Sequence, residues 1–138
     1  MSIVQMALPG ARVLDLFAGS GALGIEALSR GAASADFVDS DSRSLSVVRA
    51  NLESLDAADQ SSVIRADAVD FARGLQPDSY DVVFADPPYA SDAGVRIAEI
   101  WLRSPFAALI GIEHSRSQVM PDGGDTRRYG DSGITFYR

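Results

Sequence analysis

Four apolar runs in this chain each end in an aspartate, and longer segments with helical character separate them. The runs have the length and β-rich composition of buried strands. Strands that alternate with helices form a mainly parallel sheet with helices on both faces. The carboxyl ends of parallel strands meet at one edge of the sheet, where open α/β sheets bind ligands. The four aspartates predicted to lie at that edge are Asp15, Asp39, Asp67 and Asp86.

The rest of the pattern extends the sheet to seven strands in one domain, residues 1–138. The turn residues of 130–133 lie between the last two runs and predict an antiparallel hairpin at the sheet edge. The predicted strands cover about 12–18, 34–39, 61–66, 80–86, 107–113, 125–130 and 133–138. The predicted helices cover about 22–31, 42–56, 68–74 and 92–103.

The segment Asp86-Pro87-Pro88-Tyr89 ends the fourth run. Because prolines cannot continue a ladder of hydrogen bonds, the chain must leave the sheet at Pro87. The Asp86 carboxylate and the Pro87 carbonyl could each accept an N–H of an exocyclic amine and turn its lone pair toward a methyl donor. Tyr89 could stack on the base, a contact worth roughly 1–3 kcal/mol. Taken alone, the segment fits a turn that merely ends a strand equally well.

A glycine-rich turn follows the first run and contains Gly19, Gly21 and Gly24. Glycine lets backbone amides approach a ligand, and the start of the following helix offers further donors. Asp15 precedes the turn, where a carboxylate could meet an ammonium group. The glycine spacing also satisfies the dinucleotide pattern, so the turn alone leaves open a nicotinamide, another adenosine cofactor, or simple close packing of helix on strand.

Asp39 lies eighteen positions beyond Gly21, the usual place of an acid that binds ribose hydroxyls. Asp67 ends the third run and could accept from an adenine amino group. Asp41 is expected to cap the helix that follows it. Each of these acids alone would ordinarily be a solvated loop residue. Four successive strands that all end in aspartate are much harder to attribute to chance.

The stretch from Leu14 to Gly31, together with Asp86-Pro87-Pro88-Tyr89, resembles the S-adenosylmethionine-dependent methyltransferases that modify guanine N2 of 16S ribosomal RNA. The segments 112–115 and 129–137 fit the same family, so the resemblance covers about 11–138. It implies a Rossmann-like, seven-stranded class I methyltransferase sheet, mostly parallel with a C-terminal antiparallel hairpin. It also implies methyl transfer from S-adenosylmethionine to an exocyclic amine of a nucleic-acid base, guanine N2 of 16S rRNA.

The resemblance further implies a place for each ligand. Asp15 and the glycine turn would line the methionine end of the cofactor, Asp39 would hold the ribose, and Asp67 with the Ala68 backbone would hold the adenine. The implied cofactor residues are Asp15, Phe17, Gly19, Ser20, Gly21, Asp39, Asp67 and Ala68. The implied catalytic residues are Asp86, Pro87, Pro88 and Tyr89. A nicotinamide-dependent oxidoreductase stays a weaker alternative, because such an enzyme has no need of the segment Asp86 to Tyr89.

Composition sets the expected partners. The net charge of −7 has the wrong sign for an RNA binder that relies on its overall charge, so contact with 16S rRNA or the assembling small ribosomal subunit needs local patches such as Arg127-Arg128. No apolar run is long enough to span a membrane. The chain has no cysteine, and its single histidine, His114, is expected to be structural, so we expect no metal site. We expect a cytoplasmic monomer.

The N-terminal segment that precedes the first strand is short for the family that the chain resembles. The first strand starts near Ala11, whereas related enzymes look longer, with a basic segment and a helix that help cover the cofactor and engage RNA. We therefore expect weak binding of S-adenosylhomocysteine and little methylation of isolated rRNA by this chain alone. A truncated or degenerate cofactor-binding fold without turnover is the alternative.

Overall fold

The computed structural model describes residues 2–138 and contains one seven-stranded sheet. The strands are Arg12–Leu16 (β1), Ser34–Asp39 (β2), Ser61–Arg65 (β3), Tyr80–Ala85 (β4), Ala107–Ser115 (β5), Asp125–Tyr129 (β6) and Ser132–Tyr137 (β7). The α-helices are Ser2–Ala7 (α1), Ala22–Ser29 (α2), Ser42–Ser54 (α3), Ala68–Arg73 (α4) and Ala93–Arg103 (α5), with a short 3₁₀ helix at Ala58–Gln60. Among the described residues, no helix has the length and apolarity needed to cross a bilayer.

The strands lie in the order β3-β2-β1-β4-β5-β7-β6. The first five are mutually parallel, whereas β7 is antiparallel to both β5 and β6. The predicted Rossmann-like methyltransferase sheet with a C-terminal antiparallel hairpin is therefore confirmed. The strand order reverses between β1 and β4, so the crevice beyond the carboxyl ends of these two strands is the expected ligand site.

Two apolar clusters pack against opposite faces of the sheet. One contains buried side chains of α1, α2 and α3, and the other contains those of α4 and α5. Successive side chains of a strand point to opposite faces, so β1 contributes Leu14 and Leu16 to one cluster and Val13 to the other. Because helices pack on both faces of the sheet, the positions of the carboxyl ends of the parallel strands are fixed.

The elements differ from the sequence prediction mainly at their ends. β1 stops at Leu16 because Phe17 adopts a left-handed backbone with φ of 60°, which no strand continues. β5 runs on to Ser115, since β7 pairs with it as far as that residue. The helix α1 was not predicted, because six residues are too few for a clear period. It is nonetheless anchored, since Val4 is buried in the cluster beneath α2 and α3.

Candidate active site

Three of the four predicted aspartates lie close together at the carboxyl ends of β1, β2 and β4. Asp15 is 1% exposed, and its burial raises its pKa to about 7 despite a hydrogen bond from the Gly24 amide. The nearby carboxylates of Asp86 and Asp39 raise the pKa of Asp15 further. Each must therefore lie within electrostatic range of Asp15. The carboxyl ends of β1, β2 and β4 thus gather three carboxyl groups, of which the buried Asp15 holds its proton more tightly than usual.

Asp15 and Asp39 accept hydrogen bonds from backbone amides of the glycine turn. The Gly19 amide donates to Asp39 Oδ2 at 2.9 Å, and the Gly24 amide donates to Asp15 Oδ2 at 3.1 Å. The Gly21 amide donates to the Ala18 carbonyl at 2.8 Å. All three amides therefore have partners within the protein, and contact between the turn and a cofactor stays a prediction.

Asp39 is the last residue of β2, and each of its two carboxylate oxygens accepts a backbone amide. Its Oδ2 accepts the Gly19 amide, and its Oδ1 accepts the Asp41 amide at 2.9 Å. Each oxygen retains a further lone pair, and the residue is only partly buried. Its side chain is therefore held in one orientation and can still accept hydrogen bonds from a ligand. Asp41 caps α3 by accepting the Arg43 amide, as predicted.

Asp67 lies at the same edge but has a local role as well. Its Oδ2 accepts the Asp70 amide at 2.9 Å and so caps α4, whose first residue is Ala68. The Ala66 amide donates to the Asp39 carbonyl, which ties the ends of β2 and β3 together. Phe17 packs against the apolar cluster that contains Ala68. The two residues predicted to face the adenine, Asp67 and Ala68, therefore lie at the junction of β3 and α4.

Ser20 lies on the outer side of the glycine turn. It is exposed and lines a shallow open cavity with Gly19 and residues of α3. Its carbonyl accepts the Asn51 side-chain amide at 3.2 Å.

The segment that follows β4 forms the wall of a separate cavity of about 150 Å³. The Asp86 amide donates to the Leu16 carbonyl at 3.4 Å, so this segment begins beside the end of β1. Tyr89 is 81% exposed, and Ala90 has a positive φ of 65°. Residues other than glycine adopt such a backbone infrequently, and strain of this kind clusters at functional sites. The four predicted catalytic residues that line this cavity together are Asp86, Pro87, Pro88 and Tyr89.

Glu113 is a residue of this cavity that the sequence analysis did not single out as a site residue. Burial raises the pKa of Glu113, and the adjacent Asp86 carboxylate raises it further as a charge and as a hydrogen-bond partner. Tyr129 Oη lies 3.4 Å from Glu113 Oε1. The signal that could have revealed Glu113 is its place after Ile112, because β4 and β5 are parallel neighbours whose polar ends must meet.

His114 also lines the cavity, but both of its ring nitrogens have protein partners. Nδ1 lies 2.8 Å from the Ser115 carbonyl and Nε2 lies 2.7 Å from Thr135 Oγ1. Since a carbonyl can only accept, Nδ1 carries the proton in this pair. The geometry supports the structural role expected for this histidine. Within residues 2–138, no group of three or more histidine, cysteine or acidic side chains could hold a metal ion.

Solved structures with the same fold include two titled as a putative methyltransferase and a putative methylase. The "Putative methyltransferase yhhF from Escherichia coli" is 28% identical, with a TM-score of 0.83 over 99% of this chain and 79% of that chain. The "putative methylase HI0767 from Haemophilus influenzae" is also 28% identical, with a TM-score of 0.84 over 99% of this chain and 91% of that chain. The fold is therefore that of the Rossmann-like methyltransferases.

The chain belongs to the family described as "Conserved hypothetical protein 95", which matches residues 1–138. It is 36% identical over 140 residues to the "Putative rRNA methyltransferase YlbH" of Bacillus subtilis, covering 94% of this chain and 76% of that protein. It is 31% identical over 132 residues to the "Ribosomal RNA small subunit methyltransferase D" of Haemophilus influenzae, covering 91% of this chain and 68% of that protein. The resemblance to methyltransferases of this kind is confirmed.

Proposed function

We propose that this chain transfers a methyl group from S-adenosylmethionine to an exocyclic amine of a nucleic-acid base, with guanine N2 of 16S rRNA as its target. The observation that carries the proposal is the position of Asp86-Pro87-Pro88-Tyr89. This segment lines a cavity over the carboxyl ends of β4 and β5, and it begins beside the end of β1, where the Asp86 amide donates to the Leu16 carbonyl. The names of the two relatives support rRNA as the substrate class.

The chemistry of the crevice fits a cationic cofactor better than a pyrophosphate. Several carboxylates gathered at one edge are stabilised by a positively charged ligand and repel an anionic one. The amides of Gly19, Gly21 and Gly24 already have partners within the protein, which leaves fewer donors at the turn for a pyrophosphate. These observations favour S-adenosylmethionine over a nicotinamide cofactor.

Each part of the cofactor has a candidate partner in this chain. Asp39 would accept hydrogen bonds from the ribose hydroxyls with a carboxylate that two backbone amides already orient. Asp67 and the Ala68 backbone would face the adenine. Asp15 would mainly support the glycine turn, because its buried carboxylate accepts the Gly24 amide. When bound, the cofactor supplies a methyl group on a positively charged sulfur, and transfer leaves neutral S-adenosylhomocysteine.

The target base would occupy the cavity beside β4. The exocyclic nitrogen of a base is a poor nucleophile because its lone pair is delocalised into the ring. Asp86 and the Pro87 carbonyl would accept its two N–H groups and so direct the lone pair toward the methyl group. The proton that the nitrogen loses on methylation could pass to the Asp86 carboxylate or to water. Tyr89, which is largely exposed, would stack on the base.

Two measurements test the proposal in sequence. Calorimetric titration with S-adenosylmethionine, S-adenosylhomocysteine and NAD should show binding of the first two only. Incubation with methyl-labelled S-adenosylmethionine and either 16S rRNA or small ribosomal subunits should then place label in N2-methylguanosine after digestion to nucleosides, with only a small yield on isolated rRNA. Binding of NAD alone would contradict the cofactor assignment. Cofactor binding without transfer to either substrate would support a binding fold that lacks turnover.

A further inference from the structure

We propose that Glu113 is a specificity-determining residue, which selects guanine by accepting its N1–H while Asp86 accepts an N–H of the adjacent N2 amine. The inference rests on the proposed function and adds a residue that the motif at the end of β4 does not contain. It is carried by the register of β4 and β5, by the cavity that they form, and by the charge of that cavity.

The register places the two carboxylates side by side. Ala85 of β4 pairs with Ile112 of β5, and the next residue on each strand is Asp86 and Glu113. Both line the cavity that Tyr89 also lines. A base that stacks on Tyr89 and presents its amine to Asp86 would therefore bring the neighbouring ring atom toward Glu113.

The pair is short of hydrogen-bond donors. Within residues 2–138, none of the ion pairs involves Asp86 or Glu113. The partner on the protein side of Glu113 is Tyr129 Oη at 3.4 Å, a long contact. Partial burial and the neighbouring carboxylate together raise the pKa of Glu113, which is the response expected of two acids that face each other without a cation. A ligand edge with two adjacent donors would relieve this repulsion.

Guanine has such an edge, and the other bases with exocyclic amines do not. Its N1–H and N2 amine are adjacent donors. In adenine and cytosine, the ring nitrogen beside the amine is an acceptor, which would face the Glu113 carboxylate with like polarity. A site that places a hydrogen-bonding group against a base rejects an analogue that cannot pair with it, because the group is then left buried and unpaired.

The test uses 2-aminopurine, which keeps the 2-amino group of guanine but has an unprotonated N1. The guanine methylated in the preceding experiment is replaced by 2-aminopurine in a synthetic RNA, and kcat/KM is measured for both RNAs. The full chain should prefer guanine by about 10- to 100-fold, the range for one hydrogen bond to a charged group. In Glu113→Gln, whose amide can donate to an unprotonated N1, this preference should fall by about tenfold or more.

Two controls separate specificity from folding. Glu99→Gln makes the same change on the exposed surface of α5 and should keep the wild-type preference. Affinity for S-adenosylhomocysteine should be unchanged in Glu113→Gln. Should that variant lose cofactor binding, Glu113→Asp decides instead, because a retracted carboxylate should slow methylation of guanine by about tenfold and leave 2-aminopurine unaffected.

The outcomes are distinguishable. Methylation of guanine with the same preference in wild type and Glu113→Gln would overturn the role of Glu113 and leave the proposed function standing. An unchanged guanine rate in Glu113→Asp would do the same. Transfer by the wild-type chain to another base, or to neither RNA, would overturn the proposed function and this inference with it.

Discussion

Asp15 and Asp39 both accept backbone amides of the glycine turn, yet only Asp39 retains a carboxylate that is partly open to solvent. The sequence could predict that both residues end strands, because the apolar runs before them are clear. The sequence could not predict that Asp15 is fully buried, because the burial of this side chain depends on how closely α2 packs over β1. The same local pattern thus gives one residue suited to binding a ligand and one suited to holding the turn.

The first prediction concerns Asp39. Replacing it by alanine should weaken binding of S-adenosylhomocysteine by about 1.5–3 kcal/mol, the range for hydrogen bonds to a charged group. Part of this loss would come from the Gly19 amide, which would lose its acceptor. Titration calorimetry measures the change, with Asp59→Ala in the exposed 3₁₀ helix as the control. Equal affinities in the two variants would remove Asp39 from the ribose site.

The second prediction concerns Asp15 and pH. Because its pKa is raised to about 7 in the folded protein, the folded state holds its proton more tightly than the unfolded chain does. The resulting stability is fully present below about pH 4 and is lost as the pH rises through about 7. The loss is at most about 4 kcal/mol. Asp15→Asn, which keeps an acceptor for the Gly24 amide and never ionises, should lack this component.

Denaturant unfolding of wild type and Asp15→Asn at intervals from pH 4 to 8 provides the measurement. The difference in free energy of unfolding should shift in favour of the variant as the pH rises. Two parallel pH profiles would show that Asp15 titrates alike in the folded and unfolded states.

At the scale of elements, the site depends on the close approach of α2 to β2. A Cβ built on Gly24 would lie 2.4 Å from Cε1 of Phe37, a fully buried ring. The seven strands and the helices α2 to α5 could be predicted from apolar periodicity and turn residues. The pairing of Asp86 with Glu113 could not, because it follows from the register of two strands separated by α5.

The third prediction tests this packing. Gly24→Ala should lower the free energy of unfolding by about 1–3 kcal/mol, because overpacking forces the Phe37 ring or the helix to move. Gly74→Ala is the matched control, since a Cβ there meets nothing nearer than 3.7 Å and its φ is −85°. Denaturant unfolding of both variants measures the difference. Equal losses, or none in either, would show that the α2–β2 interface tolerates the added methyl group.

At the scale of the whole molecule, the net charge of −7 means that RNA must be held by a local surface. Arg116 lines an open groove together with Tyr89, and Arg128 lies beside it, with its Nε donating to the Arg116 carbonyl. Arg127 is otherwise engaged, because it pairs with Asp125 and lies over the Phe136 ring. Of the two arginines predicted from the sequence, Arg127 therefore packs against the protein, whereas Arg128, beside Arg116, can reach phosphates.

The fourth prediction follows from that division. Arg116→Ala and Arg128→Ala should each weaken binding to an rRNA fragment and lower the slope of log affinity against log salt by about 1. Arg49→Ala, an exposed arginine of α3, should change neither. Fluorescence titration at several salt concentrations measures both quantities. A larger loss at Arg49 than at Arg116 would place the docking surface on α3 instead.

The central claim is that Asp86 holds the amine that is methylated. Asp86→Ala should bind S-adenosylhomocysteine nearly as well as wild type, because the carboxylate faces the base rather than the cofactor. Its single-turnover rate of methyl transfer should fall by about 100-fold or more, since the amine is no longer oriented. Asp86→Asn, which keeps one acceptor oxygen and loses the charge, should lie between the two. A wild-type rate in Asp86→Ala, measured beside an unaffected Asp59→Ala control, would contradict the account.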